Sequence, residues 1–94
     1  MAFDIRFSEE KNQLLKATRG IGFDDVLVLL KRGDLLADKG HTSKKHTSQR
    51  IYVVRIDKYA YVVPYVINLQ NNEIFLKTIY PSRKFTKQYL KKGD

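Results

Sequence analysis

Three strand-like runs follow one another in the second half of the chain, and their spacing limits the fold more than any other feature. Residues 50–56, 60–67 and 73–80 are dense in β-branched and aromatic side chains. Asp57-Lys58 separates the first two, and a polar stretch from Asn68 through Gln70-Asn-Asn72 separates the last two. Connections this short favour an antiparallel meander. The two-residue period of a strand then sorts the side chains. Ile51, Val53 and Arg55 face one way, and Arg50, Tyr52, Val54 and Ile56 the other. Ile74, Leu76, Thr78 and Tyr80 share one face, and Phe75, Lys77 and Ile79 the opposite one. Pro64 has no N–H to give to a ladder, so a bulge or an edge segment is expected there.

Upstream, Phe3, Ile5 and Phe7 alternate with Asp4 and Arg6, the pattern of a half-buried strand. Ser8 is a helix N-cap followed by Glu9 and Glu10, the sign that the helix dipole favours at that end. Leu14, Leu15 and Ala17 supply the apolar side of this helix, which ends at Gly20. After a tight Gly20-Ile-Gly22 link, Phe23, Val26, Leu27 and Leu30 fit a second helix. Val28 and Leu29 broaden its apolar surface and predict deep burial, and Gly33 stops it. Residues 35–37 begin a short strand, and residues 39–49 form the longest irregular stretch. The predicted order is β-α-α-(β)-β-β-β-α over a single domain of 94 residues. This is an α+β fold: a twisted antiparallel sheet with two N-terminal helices and a C-terminal helix, packed on one side.

The last of these helices carries a conflict. Pro81 stops the third run, Ser82 caps a helix, and Phe85 and Tyr89 share one of its faces. Yet its first turn holds Arg83 and Lys84, where a stable helix prefers acids. A basic first turn beside unpaired backbone N–H groups suggests a phosphate-binding corner. The charge of the whole chain agrees with an anionic partner. The net charge is +8, and residues 48–94 carry nine Lys and Arg against three Asp and Glu. No acid occurs between Asp38 and Asp57, or between Glu73 and Asp94. Two acid-free basic segments on one small domain imply a positive face, for which nucleic acid, an acidic protein and an anionic membrane are the candidate partners.

Several chemistries are disfavoured by what the chain lacks. There is no Cys, hence no disulfide framework or thiolate metal site. No apolar run is long enough to span a membrane, and the first residues lack the pattern of a signal peptide, so a cytoplasmic protein without membrane contact is expected. His41 and His46 sit five apart in a stretch that also holds Lys44 and Lys45, a poor setting for a metal, and no cofactor loop of standard spacing occurs. What remains is a basic and aromatic set: Arg50, Arg55, Lys77, Tyr80, Arg83, Lys84, Lys87 and Tyr89, with His41 and His46. Such a set suits RNA cleavage by the neighbouring 2′-OH, which needs a base, cations for the developing phosphorane charge and a proton for the leaving oxygen. It equally suits nucleic-acid binding without cleavage.

A resemblance sharpens these alternatives. The helix containing Asn12, the run Gly20-Ile-Gly-Phe-Asp-Asp-Val26, the strand Gln49-Arg-Ile-Tyr-Val-Val54 and the ending Ile79-Tyr-Pro-Ser-Arg-Lys-Phe-Thr86 resemble the BrnT-type toxins of bacterial toxin–antitoxin pairs, within the RelE-like superfamily of small ribonucleases. The resemblance implies a metal-independent endoribonuclease acting on mRNA, with or without the ribosome. Arg83 aligns with the arginine of the family's closing motif, and Tyr89 with a later helical tyrosine. Arg83 and Arg50 would stabilise phosphate charge, and His46 or His41 would serve acid–base roles. Lys77, Lys84, Lys87, Arg55, Lys44 and Lys45 would position RNA. The family pattern places an acid just before the arginine that opens the long strand, where this chain has Gln49 before Arg50. An antitoxin partner, often with a ribbon-helix-helix domain, is also implied. A non-catalytic nucleic-acid-binding or protein-binding module using the same basic face is the alternative.

Overall fold

The structure is a computed structural model that describes residues 3–40 and 49–90. The elements run β1 (Asp4–Arg6), α1 (Glu9–Arg19), α2 (Phe23–Arg32), β2 (Leu35–Gly40), β3 (Arg50–Ile56), β4 (Tyr59–Asn68), β5 (Glu73–Leu76), β6 (Tyr80–Pro81) and α3 (Arg83–Tyr89). This is the α+β fold expected, built on one sheet of order β1-β5-β4-β3-β2, with β6 also paired to β4. Two details differ from a plain meander. β1 lies parallel to β5, so the sheet is mixed. The run 73–80 is not one strand but two, β5 and β6, both antiparallel to β4.

Pro64 explains that split. It keeps a regular register with Ile51 of β3, so β4 itself does not bulge. On the other flank the Lys77 N–H donates to the Pro64 carbonyl at 2.8 Å. In an antiparallel pair the same residue would return an N–H bond, and proline has none. The ladder fails there, and the register then slips by one residue. Tyr65 faces Leu76 before the break, and Val62 faces Tyr80 after it. The expected bulge therefore sits in the partner strand, at Thr78 and Ile79. It turns Ile79 into the core beside Leu76 and puts Tyr80, not Ile79, on the face shared by Phe75 and Lys77.

The helices are not all on one side. Tyr52, Val54, Val63, Tyr65, Ile74, Leu76 and Ile79 form one core with Leu15 of α1 and with Phe23 and Val26 of α2. Ile51, Val53, Ala60 and Val62 form a second core with Phe85 of α3. Because alternate residues of β3 and β4 feed the two cores, α3 must lie on the opposite face from α1 and α2. The sequence carried the signal, since Ile51-Tyr-Val-Val54 and Tyr61-Val-Val63 are continuous apolar runs, which need cover on both faces.

Burial within the helices also departs from the apolar pattern. Leu14 is 59% and Val28 52% exposed, while Asn12 is 2% exposed. Asn12 is inside because it ties the two helices together. Its side-chain carbonyl accepts the Phe23 N–H at 2.6 Å, and its amide donates to Glu9 at 3.2 Å. Gly22 belongs to the same lock, for a Cβ there would overlap the Asn12 side chain and Lys16. Gly20 closes α1 at φ 76°, a left-handed cap that favours glycine.

Candidate nucleic-acid interface

The position of α3 is fixed by three small polar contacts. Ser82 Oγ accepts the Phe85 N–H at 3.1 Å, as an N-cap should. Thr86 Oγ1 donates to the Ser82 carbonyl at 2.7 Å and accepts the buried Ala60 N–H at 2.9 Å. This last bond pins the helix to β4. With Phe85 and Thr86 turned inward, Arg83, Lys84 and Lys87 are left on the solvent side. Tyr89 is half-buried, its ring stacked on Phe85 with centroids 6.0 Å apart.

Two further lysines join them. Lys39 of β2 places its Nζ 5.3 Å from the centre of the Phe85 ring, and Lys84 stands 5.6 Å from the same ring. Lys77 sits 5.6 Å from the Phe75 ring, on the same side of the sheet. None of Lys39, Lys77, Arg83, Lys84 and Lys87 has an ion-pair partner among the described residues. Lys77, Arg83, Lys84 and Lys87 are exposed, Lys39 is half-buried, and no described carboxylate neutralises any of them. The seven-residue α3 adds little through its backbone, since Ser82 already takes the Phe85 N–H. The basic character lies in the side chains rather than in the helix terminus.

Arg50 is elsewhere. Its side chain lies on the α1–α2 side, where Nε donates to the Tyr65 hydroxyl at 3.1 Å. Nη2 reaches both the backbone carbonyl and the carboxylate of Asp38, at 3.1 and 3.3 Å. Tyr65 in turn donates its hydroxyl to that carboxylate at 2.5 Å and stacks on Tyr52 with ring centres 4.2 Å apart. Burial, then the bond to Asp38, push the Tyr65 hydroxyl well above its usual range, and burial raises that of Tyr52. This cluster ties Arg50 to the Asp38 carboxylate and the Tyr65 hydroxyl.

The expected site residues are thus divided. Arg83, Lys84, Lys87 and Lys77 share one side of the sheet, joined by Lys39. Arg50 is on the other. Arg55 is tied to Asp34 at 3.5 Å, beside a shallow cleft. His41, Lys44, Lys45 and His46 lie outside the described residues. The sequence reading missed Asp38, Tyr65 and Tyr52 as partners of Arg50. The register that sets Asp38 opposite Tyr52 and Arg50 opposite Tyr65 was not available to it. A second cleft, of about 540 Å³, lies between the α1–α2 link and the β3–β4 turn; Arg19, Arg32, Asp25 and Asp57 line it with charges of both signs.

Among the described residues no cluster of three His, Asp or Glu is placed to hold a metal ion, and no helix is long and apolar enough to cross a membrane. No family model, curated protein or solved structure matches this chain.

Proposed function

We propose that this chain acts on RNA, as the toxin member of a toxin–antitoxin pair of the BrnT and RelE-like kind, and that RNA lies across the α3 face. The observation that carries this is the set of five cations on that face with no ion-pair partner among the described residues. Cations left unpaired on a folded surface favour a polyanion, whose bound counterions they release. In this reading Arg83 stabilises the charge that develops on phosphorus as the 2′-OH attacks, without a metal, and Lys77, Lys84 and Lys87 hold the neighbouring phosphates. The acid–base groups are His46 and His41. Arg50, bound by Tyr65 and Asp38 on the other face, serves the sheet rather than the phosphate. The cognate antitoxin, an acidic protein, covers the same face in the cytoplasm.

A second reading, RNA binding without cleavage, is favoured by one observation. Among the described residues, no His, Asp or Glu stands with the α3 cations to take the 2′-OH proton.

The test is cleavage of RNA by the purified chain in excess EDTA, compared with Arg83→Ala. Cleavage by the wild type, lost by at least about 100-fold in the variant, is the expected result for a phosphate-stabilising arginine. Binding of RNA by both proteins with no product, even with translating ribosomes present, would select the second reading. No affinity for RNA in any form would overturn both.

A further inference from the structure

The α3-side face of the sheet is only partly covered. Phe85 shields Ile51, Val53, Ala60 and Val62, but on the flank where β5 and β6 pair with β4, aromatic rings reach solvent. Phe75 is 38% exposed and Tyr80 36% exposed. Phe75 stands opposite Val66, and Tyr80 opposite Val62. The Lys77 N–H bonds the Pro64 carbonyl, so Lys77 stands between them. Val66, Pro64 and Val62 are alternate residues of β4, so their partners point to one side in steps of about 6.6 Å. The bulge at Thr78 and Ile79 is what returns Tyr80 to this row.

The row reads aromatic, cation, aromatic, and it leads directly into Arg83 and Lys84. No acid occurs from Ile74 to Leu90. Glu73 closes the far end, and its carboxylate is already paired with Arg6 at 3.3 Å. Exposed rings flanking a lysine that touches the Phe75 ring but has no ion pair among the described residues match a strand whose bases are free to stack and whose phosphates lie between them. In a duplex the base faces are covered by their neighbours.

Resting on the reading that the chain acts on RNA, we infer that Phe75, Lys77 and Tyr80 form a track for single-stranded RNA. Two bases stack on the rings of Phe75 and Tyr80, and Lys77 holds a phosphate between them. The track delivers the strand to Arg83.

Fluorescence anisotropy with labelled strands of about a dozen nucleotides tests this; such a length spans one compact binding surface. The probes are an oligoadenylate, an abasic RNA of equal length, the oligoadenylate's duplex and the matching DNA strand. The wild type is expected to bind the oligoadenylate more tightly than the abasic strand or the duplex, and at least as tightly as the DNA. Phe75→Leu and Tyr80→Leu, which keep apolar bulk, should each weaken oligoadenylate binding about tenfold and leave abasic binding and the salt slope unchanged. Unchanged abasic binding also reports that the fold is intact. Lys77→Ala should weaken both strands and reduce the slope by about 0.7. If both leucine variants bind like the wild type while Arg83→Ala and Lys87→Ala still lose affinity, the track falls and the RNA reading survives. If the wild type binds no RNA, both fall. Tighter binding of the DNA strand would overturn the assignment to RNA.

Discussion

Tyr65 shows how one side chain can serve two masters in this sheet. Its ring is core, stacked on Tyr52 and almost fully buried, while its hydroxyl is the centre of the Arg50–Asp38 cluster. Folding holds the phenolic proton more tightly than the unfolded chain does. The resulting stabilisation is complete below the unfolded value of about 10 and is lost as the pH rises above it, because the unfolded chain ionises first. Tyr52 adds to the same alkaline weakness. Tyr65→Phe keeps the ring and removes the hydroxyl. At neutral pH it should cost about 1 kcal/mol through the lost hydrogen bonds. Above pH of about 10 its stability should fall less steeply than that of the wild type. Urea unfolding midpoints measured at neutral and alkaline pH check both parts; parallel decline in the two proteins would refute the second.

At the scale of elements, α1 and α3 make opposite use of the same dipole. α1 opens with Glu9 and Glu10 after its Ser8 cap, and α3 opens with Arg83 and Lys84 after Ser82. Both caps are made, so the difference is purely one of charge. Arg83 is exposed and has no ion pair or ring contact among the described residues. Arg83→Glu is therefore expected to raise stability by about 0.3–1 kcal/mol, while it abolishes RNA cleavage and weakens RNA binding. Thermal unfolding beside the binding assay checks the pair. A loss of stability would mean that Arg83 is held for the fold and not for a ligand.

For the whole molecule, the relevant quantity is the charge presented by one side of the sheet. If Lys39, Lys77, Arg83, Lys84 and Lys87 each neutralise one phosphate, the logarithm of RNA affinity should fall with the logarithm of salt at a slope of about −3.5. A slope near zero would mean that the face does not meet phosphates at all. The two-sided core is what makes such a face available. α1 and α2 cover one side of the sheet with conventional acidic helix starts, while α3 is short enough to leave β5 and β6 open beside it.

Local sequence determined much of this. The N-caps Ser8 and Ser82, the left-handed stops at Gly20 and Gly33, the face assignment of residues 50–56 and the acid-free basic run 74–93 depend on residues close in sequence, and all are legible in order along the chain. The burial of Asn12 was not legible, because its reason is an N–H eleven residues away. The apolar runs of β3 and β4 signalled that both faces need cover, but not that α3 supplies it on the second face, which is what separates Arg50 from Arg83. The helix crosses because both faces of β3 and β4 are apolar and must both be buried, a requirement of the assembled sheet and not of any single strand. The row of Phe75, Lys77 and Tyr80 was decided the same way. A proline in β4 cannot return a hydrogen bond, so the neighbouring strand slips by one residue, and Tyr80 takes the side that strict alternation gave to Ile79. Sequence fixes which side chains are offered; pairing between distant strands decides which of them meet.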